Sequence, residues 1–268
     1  MPAILNRAVR KCSARRTPGS TRPRKAGAIR SACPELFSMA GSLYGPPMTQ
    51  VSVDIVSDVV CPWCWLGLRY WDQARALVPE IQTETVYRPF QLDGAVPREG
   101  VPYSDYMKKK FGDGPDDRFK MMREHLEQAG PAAGIKFRFS GIPVRPNTLD
   151  AHRVIRWAQG QDLGEAASER LHKAFFEEHL DIGDAAVLTR LAGEIGLETD
   201  IVGNLLASDR DRKEVLEEEQ FFRRLGVQGV PCFIFNGQFA VSGAEAPEML
   251  ADAIRQAASL PQTDDDAD

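Results

Sequence analysis

The sequence predicts an α/β protein in which a β-α-β unit and two closing strands are separated by a long, wholly helical segment. Two observations lead to this prediction. β-Branched residues alternate along residues 51–56, directly before a helical pattern. Strand signals then nearly vanish between residues 103 and 225 and return near the carboxyl end. The 268 residues are enough for one large domain or for one domain with a sizeable insertion.

The β-α-β unit is predicted from three consecutive patterns. Residues 51–56 are typical of a strand. The apolar spacing after Cys61 favours a helix that ends before Pro79, with Pro62 tolerated in its first turn. Residues 83–90 are typical of a second strand. Strand, helix and strand in this order imply a parallel pair with a right-handed crossover.

Helical periodicity dominates the middle of the chain. It predicts helices over residues 103–111, 116–129, 149–159, 165–179, 185–195, 201–207 and 213–225. Strands are then expected over 232–235 and 239–241, joined by the turn dipeptide Asn236-Gly237, with a last helix over 247–258. We therefore predict that residues 49–100 and 226–260 form one α/β domain, into which residues 101–225 are inserted as a helical domain.

Two terminal segments are predicted to lie outside the fold. Residues 1–48 carry nine basic residues and one acid and lack hydrophobic periodicity. This is typical of a disordered basic tail, an organellar leader, or a start codon placed too early, with Met39 or Met48 as the first residue. Residues 261–268 form an acidic tail. The chain beyond residue 48 has a net charge of −13, which argues against nucleic acid as a partner.

The composition also bears on location. No apolar run approaches the roughly 20 residues that are needed to cross a bilayer. Five cysteines are too few for a disulfide-rich secreted scaffold of this length. We therefore expect no membrane association and a cytoplasmic location.

The candidate functional group is the dithiol Cys61-Pro62-Trp63-Cys64 at the predicted start of the first helix. Unpaired N–H groups and the helix dipole favour an anion there, so a thiol at this position ionises more readily than a free cysteine. We expect Cys61 to be the exposed nucleophile and Cys64 to resolve the mixed disulfide. A zinc site would need four ligands, and the other cysteines and the four histidines show no metal spacing, so no metal is expected.

Four motifs follow one another within residues 49–258. They are the strand and dithiol over 53–64, Asn147-Thr148 with Ala151-His152-Arg153, Gly229-Val230-Pro231, and Ser242-Gly243-Ala244. Together they resemble the DsbA-type thioredoxin-like family, and in particular its FrnE-like branch. The resemblance implies a thioredoxin-like fold with an inserted all-helical domain. It also implies a cis peptide bond before Pro231, beside the dithiol, where the Val230 backbone can pair with an extended substrate; a trans proline that starts an edge strand is the alternative.

The resemblance also implies a buried acid beneath the resolving thiol that moves its proton. Asp54 is the candidate for this acid, with Asp58 as its rival. Asn147 is a candidate for substrate binding, although Asn-Thr before a helix is also typical of a cap. His152, which belongs to one of the shared motifs, has either a functional role or a purely structural one. Cys232 either has a third redox role or is a small buried residue.

These features predict a thiol–disulfide oxidoreductase, similar to a protein disulfide isomerase, that acts on disulfide-containing proteins, peptides or small molecules. Pro62 and an exposed Trp63 would contact the substrate together with Val230 and Pro231. No bound cofactor is expected; a low-molecular-weight thiol, a dithiol or a thioredoxin-type reductant would recycle the enzyme.

Two other functions are open at this point. One is a glutathione-dependent isomerase or transferase, because the resemblance extends to 2-hydroxychromene-2-carboxylate isomerases and kappa-class glutathione transferases. Those proteins generally lack the second cysteine, so Cys64 favours redox chemistry. The other is a non-catalytic chaperone that uses a tryptophan-lined groove, formed by Trp63 and its neighbours Trp65 and Trp71.

Overall fold

A computed structural model of the protein describes residues 50–112 and 117–261, without the side chains of residues 117–119. The predicted basic tail over residues 1–48, with its possible start sites, lies outside the described residues. So does the predicted acidic tail beyond residue 261.

Helices and strands follow the predicted order along the chain. They are β1 (Gln50–Ser57), α1 (Pro62–Leu77), β2 (Gln82–Pro89), β3 (Val101–Pro102), α2 (Tyr103–Phe111), α3 (Asp117–Ala129), β4 (Val144–Arg145), α4 (Leu149–Gln159), α5 (Gly164–Phe176), α6 (Ala185–Glu194), α7 (Thr199–Leu206), α8 (Arg212–Arg224), β5 (Cys232–Phe235), β6 (Phe239–Ser242) and α9 (Pro247–Ser259). Helix α5 ends three residues before the predicted position, and His179 shortly beyond it has a positive φ of 57°.

A four-stranded mixed sheet in the order β2-β1-β5-β6 lies at the centre. β1 and β2 are parallel and are joined by α1, so the predicted β-α-β unit is confirmed. β5 pairs antiparallel with both β1 and β6. A second ladder, between β3 and β4, was not predicted. Two residues per strand are too few to produce a recognisable alternation in the sequence.

Different helices cover the two faces of the sheet. Val53 and Ile55 of β1 lie in the same buried cluster as residues of α1 and α9. Their neighbour Val56 points to the opposite face, because side chains alternate along a strand. There it packs with Ile234 of β5 and Phe222 of α8 in a second, smaller cluster. The sheet is therefore a middle layer between α1 and α9 on one side and α8 on the other.

The larger of the two clusters is continuous with the helical segment. It extends from β1 through Trp65 of α1 to Phe175 and Phe176 of α5 and to Leu188 of α6. The sheet and the helices of the predicted insertion therefore share one hydrophobic core. No helix in the described ranges is both long enough and apolar enough to cross a membrane.

Candidate active site

The two cysteines of the dithiol lie at the first turn of α1. Cys61 is the residue that precedes the helix, and its extended backbone (φ −94°, ψ 114°) places Pro62 at the first helical position. The Cys61 N–H donates to the carbonyl of Asp58 at 3.0 Å, and the Cys61 carbonyl accepts from the Cys64 N–H at 3.1 Å. Both thiols are free. The structure therefore places the pair where the sequence predicted it, at the amino end of a helix.

The Cys61 sulfur is more enclosed than the sequence predicted. Cys61 is only 4% exposed and Cys64 is fully buried, so the prediction of an exposed Cys61 is wrong. The Cys61 thiol donates to the carbonyl of Val230 at 3.7 Å. Trp63, also expected to be exposed, is half-buried, and its ring lies 5.4 Å from that of His125 on α3. The loop before β5 and helix α3, which are both distant from the dithiol in sequence, produce this enclosure.

Cys64 is held in its thiol form. Burial is the main cause that raises the pKa of Cys64 well above its ordinary value, and the Cys61 thiol and the charge of Asp58 act in the same direction. A thiol of this kind attacks poorly unless something accepts its proton.

The peptide bond between Val230 and Pro231 is cis, as the resemblance implied. The Val230 carbonyl reaches Cys61, and the Pro231 carbonyl accepts from the Gly243 N–H at 2.8 Å. The proline ring packs against α1 at Gly67, where an added Cβ would lie 2.9 Å from the ring Cγ. Gly67 was missed by the sequence analysis; a glycine in the middle of a helix is the signal that could have revealed it.

Asp58, three residues before Cys61, is a fully buried acid. Its Oδ2 accepts from the Leu92 N–H at 2.8 Å and lies 4.0 Å from Nη2 of Arg145, and its Oδ1 lies 3.5 Å from Nε2 of His152. Burial alone would raise the pKa of Asp58, but His152, Arg145 and the Leu92 N–H together hold it below its ordinary value. The carboxylate is therefore ionised inside the core.

Asp54 was predicted to move the proton of Cys64, but its side chain is bonded to Arg88 instead. Its Oδ1 accepts from Nε of Arg88 at 2.6 Å, and Arg88 also donates to Glu218 of α8 at 2.6 Å. Asp54 alternates with Val53 and Ile55 along β1, so it points to the sheet face that α8 covers. The rival candidate, Asp58, is the one whose charge acts on Cys64.

Two histidines join Asp58 in the core beneath the dithiol. His152 of α4 is 4% exposed, and His172 of α5 is fully buried. His172 Nδ1 lies 2.8 Å from the carbonyl of Ser168, and its ring stacks on Trp65 at 6.2 Å. Burial lowers the pKa of His172 to about 4, so this ring is neutral near neutral pH. The cluster formed by Asp58, Arg145, His152 and His172 is called the buried polar cluster below.

Asn147 makes the contacts of a helix cap. Its Oδ1 accepts from the Leu149 N–H at 3.0 Å, at the start of α4, and its Nδ2 donates to the carbonyl of Val96 at 2.8 Å. Its amide thus joins α4 to the loop after β2. A role of Asn147 in substrate binding stays a prediction.

Cys232 lies on the sheet face away from α1. It is 2% exposed and packs in the smaller cluster with Val56 and Phe222. Burial raises the pKa of the Cys232 thiol, and the Ser242 hydroxyl contacts its sulfur at 3.8 Å. These contacts favour the interpretation of Cys232 as a small buried residue. Within the part of the chain that the structure describes, no group of three or more His, Cys, Asp or Glu side chains is placed to hold a metal ion.

Comparisons with known proteins identify the family and the fold of the chain. Residues 52–255 match the model of the DsbA-like thioredoxin domain. Over 77% of this chain and 89% of the other, the structure is similar to a probable DsbA oxidoreductase from Streptomyces coelicolor, with 28% identity and a TM-score of 0.71. The uncharacterized protein YwbO of Bacillus subtilis is 25% identical over 76% of this chain and 96% of its own length.

A 2-hydroxychromene-2-carboxylate isomerase has the same fold, with a TM-score of 0.58 at 15% identity over 76% of this chain and 95% of its own. The family match spans the dithiol, the helical segment and the cis-proline. The chain therefore belongs to the DsbA-like thioredoxin domain family, with a thioredoxin-like α/β fold that contains a helical insertion.

Proposed function

We propose that this protein is a dithiol–disulfide oxidoreductase whose reactive group is the Cys61–Cys64 pair. The observation that carries the proposal is the arrangement of two free thiols at the start of α1 with the cis-proline loop across from them, where the Val230 carbonyl contacts Cys61. Among the described residues, the Val230 N–H has no hydrogen-bond partner. It is therefore available to pair with the backbone of an extended substrate.

The reaction consists of two exchanges that balance in atoms and electrons. The Cys61 thiolate attacks a substrate disulfide, a Cys61–substrate bond forms, and the other substrate sulfur leaves as a thiolate. Cys64 then loses its proton and attacks Cys61. The mixed disulfide breaks, the Cys61–Cys64 bond forms, and the second substrate sulfur leaves. The substrate is reduced by two electrons and the protein is oxidised by two. If a second substrate thiol attacks first, the result is isomerisation.

Disulfide-containing proteins and peptides are the proposed substrates. We expect four residues to contact these substrates: Pro62 and Trp63, which follow Cys61 in the chain, and Val230 and Pro231 of the cis-proline loop. A low-molecular-weight thiol, a dithiol or a thioredoxin-type reductant would return the pair to the dithiol state without a bound cofactor. The low cysteine content supports a cytoplasmic location, which fractionation of the native cell would test.

Reduction of insulin and reactivation of a scrambled protein test the proposal. We expect the wild type to be active in both assays, Cys61→Ser to be inactive in both, and Cys64→Ser to accumulate mixed disulfide with the substrate. Cys232→Ala is the matched control, because that thiol lies on the other sheet face, and it should retain activity. Full activity in the double variant Cys61→Ser, Cys64→Ser would support the chaperone alternative instead. Glutathione-dependent isomerisation without redox cycling would support the isomerase alternative.

A further inference from the structure

An open cavity lies between α1 and α5, beside β2. Its volume is about 410 Å³, within the range of cavities that hold small organic molecules. Most of its polar lining is acidic. The acids are Asp72 of α1, Asp162 of the loop before α5, and Glu165 and Glu169 of α5. This space is called the acidic cavity below.

Two arginines balance only part of the charge of these acids. Arg69 is paired with Glu169. Arg75 is paired with both Asp72 and Glu165. Four carboxylates against two guanidinium groups leave a net charge of −2 around the cavity. Like charges around one space repel one another, so a cation that enters the space is attracted.

Asp162 is the one acid of this group whose side chain has no partner among the residues that the structure describes. It lies in the turn between α4 and α5, where its N–H donates to the Gln159 carbonyl at 3.2 Å and its φ is 59°. Its side chain is exposed. The carboxylate therefore borders the cavity with its full capacity to accept hydrogen bonds.

The side chain of Tyr87, from β2, meets the same cavity. The backbone of Tyr87 is occupied at the sheet edge, where the Gln159 amide accepts from its N–H at 2.6 Å and donates to its carbonyl at 3.1 Å. The ring belongs to the main core, and the residue is 6% exposed. Within the described ranges its hydroxyl has no hydrogen-bond partner, although a buried tyrosine hydroxyl usually has one. An unpartnered polar group at the wall of a cavity points to a ligand.

The lining determines the class of ligand. Burial and the charges of Glu165 and Asp72 raise the pKa of Tyr87, so its hydroxyl keeps its proton. A neutral hydroxyl and carboxylates accept hydrogen bonds from ammonium and guanidinium groups. A bare metal ion does not fit, because no group of three or more His, Cys, Asp or Glu in the described chain is placed to hold one. Leu68 and Ala166 provide an apolar wall, which suits a methylene chain.

We propose that the acidic cavity binds an organic cation, an ammonium or guanidinium group on an aliphatic chain. The charged head is held by Asp162 and by the Tyr87 hydroxyl, and the chain lies against Leu68. Two sources carry this chemistry. One is a free diamine or polyamine, and the other is a lysine or arginine side chain of a disulfide substrate.

The position of the cavity on α1 suits a substrate side chain as well as a free amine. Leu68 lies seven residues after Cys61, on the same face of α1 and about 10 Å further along its axis. About three or four residues of extended chain span that distance. A basic residue at this separation from a substrate cysteine therefore reaches the cavity.

Titration calorimetry of the full chain with cadaverine, a linear diamine, tests the site. We expect one cadaverine to bind per chain, and added salt to weaken the binding because it screens exposed charges. The diol with the same carbon chain should not bind, since it has no ammonium group. Cys61→Ser, Cys64→Ser should bind cadaverine as tightly as the wild type does. This measurement is therefore independent of the proposed dithiol function.

Two variants remove the proposed contacts one at a time. Asp162→Asn removes a charge and keeps a residue that tolerates a positive φ, while Tyr87→Phe removes only the hydroxyl. Each should raise the Kd for cadaverine about tenfold, the usual effect of one hydrogen bond to a charged group. The matched controls are Asp209→Asn, whose side chain is 96% exposed beyond α7, and Tyr70→Phe, on the opposite face of α1 from Leu68. Both should bind as the wild type does.

Three results would overturn the proposal. The first is the absence of saturable binding, or an unchanged Kd in both cavity variants. The second is an equal loss in the two controls, because cadaverine would then be attracted by the acidic surface as a whole. The third is displacement of cadaverine by an equal concentration of Mg²⁺, which would indicate a metal site. Circular dichroism of each variant verifies the fold.

Two disulfide peptides distinguish the sources of the cation. They differ at one position near the cystine, where one has lysine and the other has the uncharged norleucine. If the substrate supplies the cation, the lysine peptide should have the lower KM, and Asp162→Asn should abolish the difference. Equal KM values together with cadaverine binding would assign the cavity to a free amine. This comparison rests on the proposed dithiol function, whereas the calorimetry does not.

Discussion

Individual buried side chains determine how this protein responds to pH. His172 is enclosed by the core, and its Nδ1 is bonded to the Ser168 carbonyl, so it stays neutral in the folded state well below the pH at which a free histidine gains its proton. Asp58 differs in that its charge is retained inside the core by His152, Arg145 and the Leu92 N–H. Burial of His172 therefore destabilises the folded state in acid. Asp58 stabilises the folded state once its carboxylate is ionised.

Acidification should destabilise the protein through His172. The pKa of His172 is about 4 in the folded state, while an unfolded histidine has a pKa of about 6.5. Between these values the unfolded state binds more protons, so stability falls as the pH falls, by up to about 3 kcal/mol. Urea unfolding between about pH 7 and pH 4 measures this slope. It should be shallower in His172→Asn and unchanged in His179→Asn; equal slopes in wild type and His172→Asn would contradict the prediction.

At the scale of single elements, α1 and the cis-proline loop form one unit. The loop reaches Cys61 through the Val230 carbonyl, and its proline ring packs against α1 about 1.7 turns further on, at Gly67. A Cβ added at Gly67 would also lie 3.6 Å from the Cα of Ala244, beyond β6. The absence of a side chain at Gly67 therefore brings the cis-proline loop close to α1.

Replacement of Gly67 by alanine should disturb the site. In an ordinary helix interior this change stabilises by about 1 kcal/mol, but here the new Cβ would be 2.9 Å from the Pro231 ring. Overpacking of this kind costs about 1–3 kcal/mol. We expect Gly67→Ala to lower both the unfolding free energy and kcat/KM with insulin. Gly203→Ala is the matched control, since its Cβ would meet Thr189 at 3.8 Å, and it should stabilise. A Gly67→Ala variant that is more stable and fully active would refute this.

The same elements show what the sequence can and cannot predict. Alternation in β1 and the helical spacing after Cys61 are local, so the strand, the dithiol and α1 were predicted in their correct places. The sequence did not show which of the two acids, Asp54 or Asp58, lies on the side of the dithiol. Alternation along β1 does not show that α8, more than 150 residues later, covers the face of Asp54. Asp58 lies in the turn after the strand, where no periodic pattern fixes the direction of a side chain. The enclosure of Cys61 depends on equally distant contacts.

On the scale of the whole molecule, the main core does not stop at the predicted boundary between the α/β part and the helical insertion. Trp65 of α1 stacks with Phe176 of α5 at 5.9 Å, and its Nε1 donates to Glu169 of the same helix at 2.8 Å. The dithiol helix therefore packs against the insertion as well as against the sheet. The buried polar cluster also draws its members from both parts.

We expect the two parts to unfold together. Phe175→Ala, in the insertion, should cost about 3–5 kcal/mol and shift two denaturation curves by the same amount: helix content by circular dichroism, and labelling of Cys232 in the sheet. The measurement uses a background in which Cys12, Cys33, Cys61 and Cys64 are all replaced by serine, so that Cys232 is labelled alone. Met249→Ala is the control, because Met249 is 56% exposed. Separate midpoints for the two probes would show that the insertion unfolds independently.

Under the proposed disulfide exchange, the near-complete burial of Cys61 would also limit the shape of the disulfides that react with it. Attack on a disulfide requires the three sulfurs to come into line, so the substrate must bring its bond end-on past Val230 into a confined space. A bridge that lies flat on a rigid surface cannot adopt that approach, whereas one in a loose loop or in a small linear molecule can. Selection among substrates would then depend on how freely the chain around the bridge moves, and much less on which residues flank it.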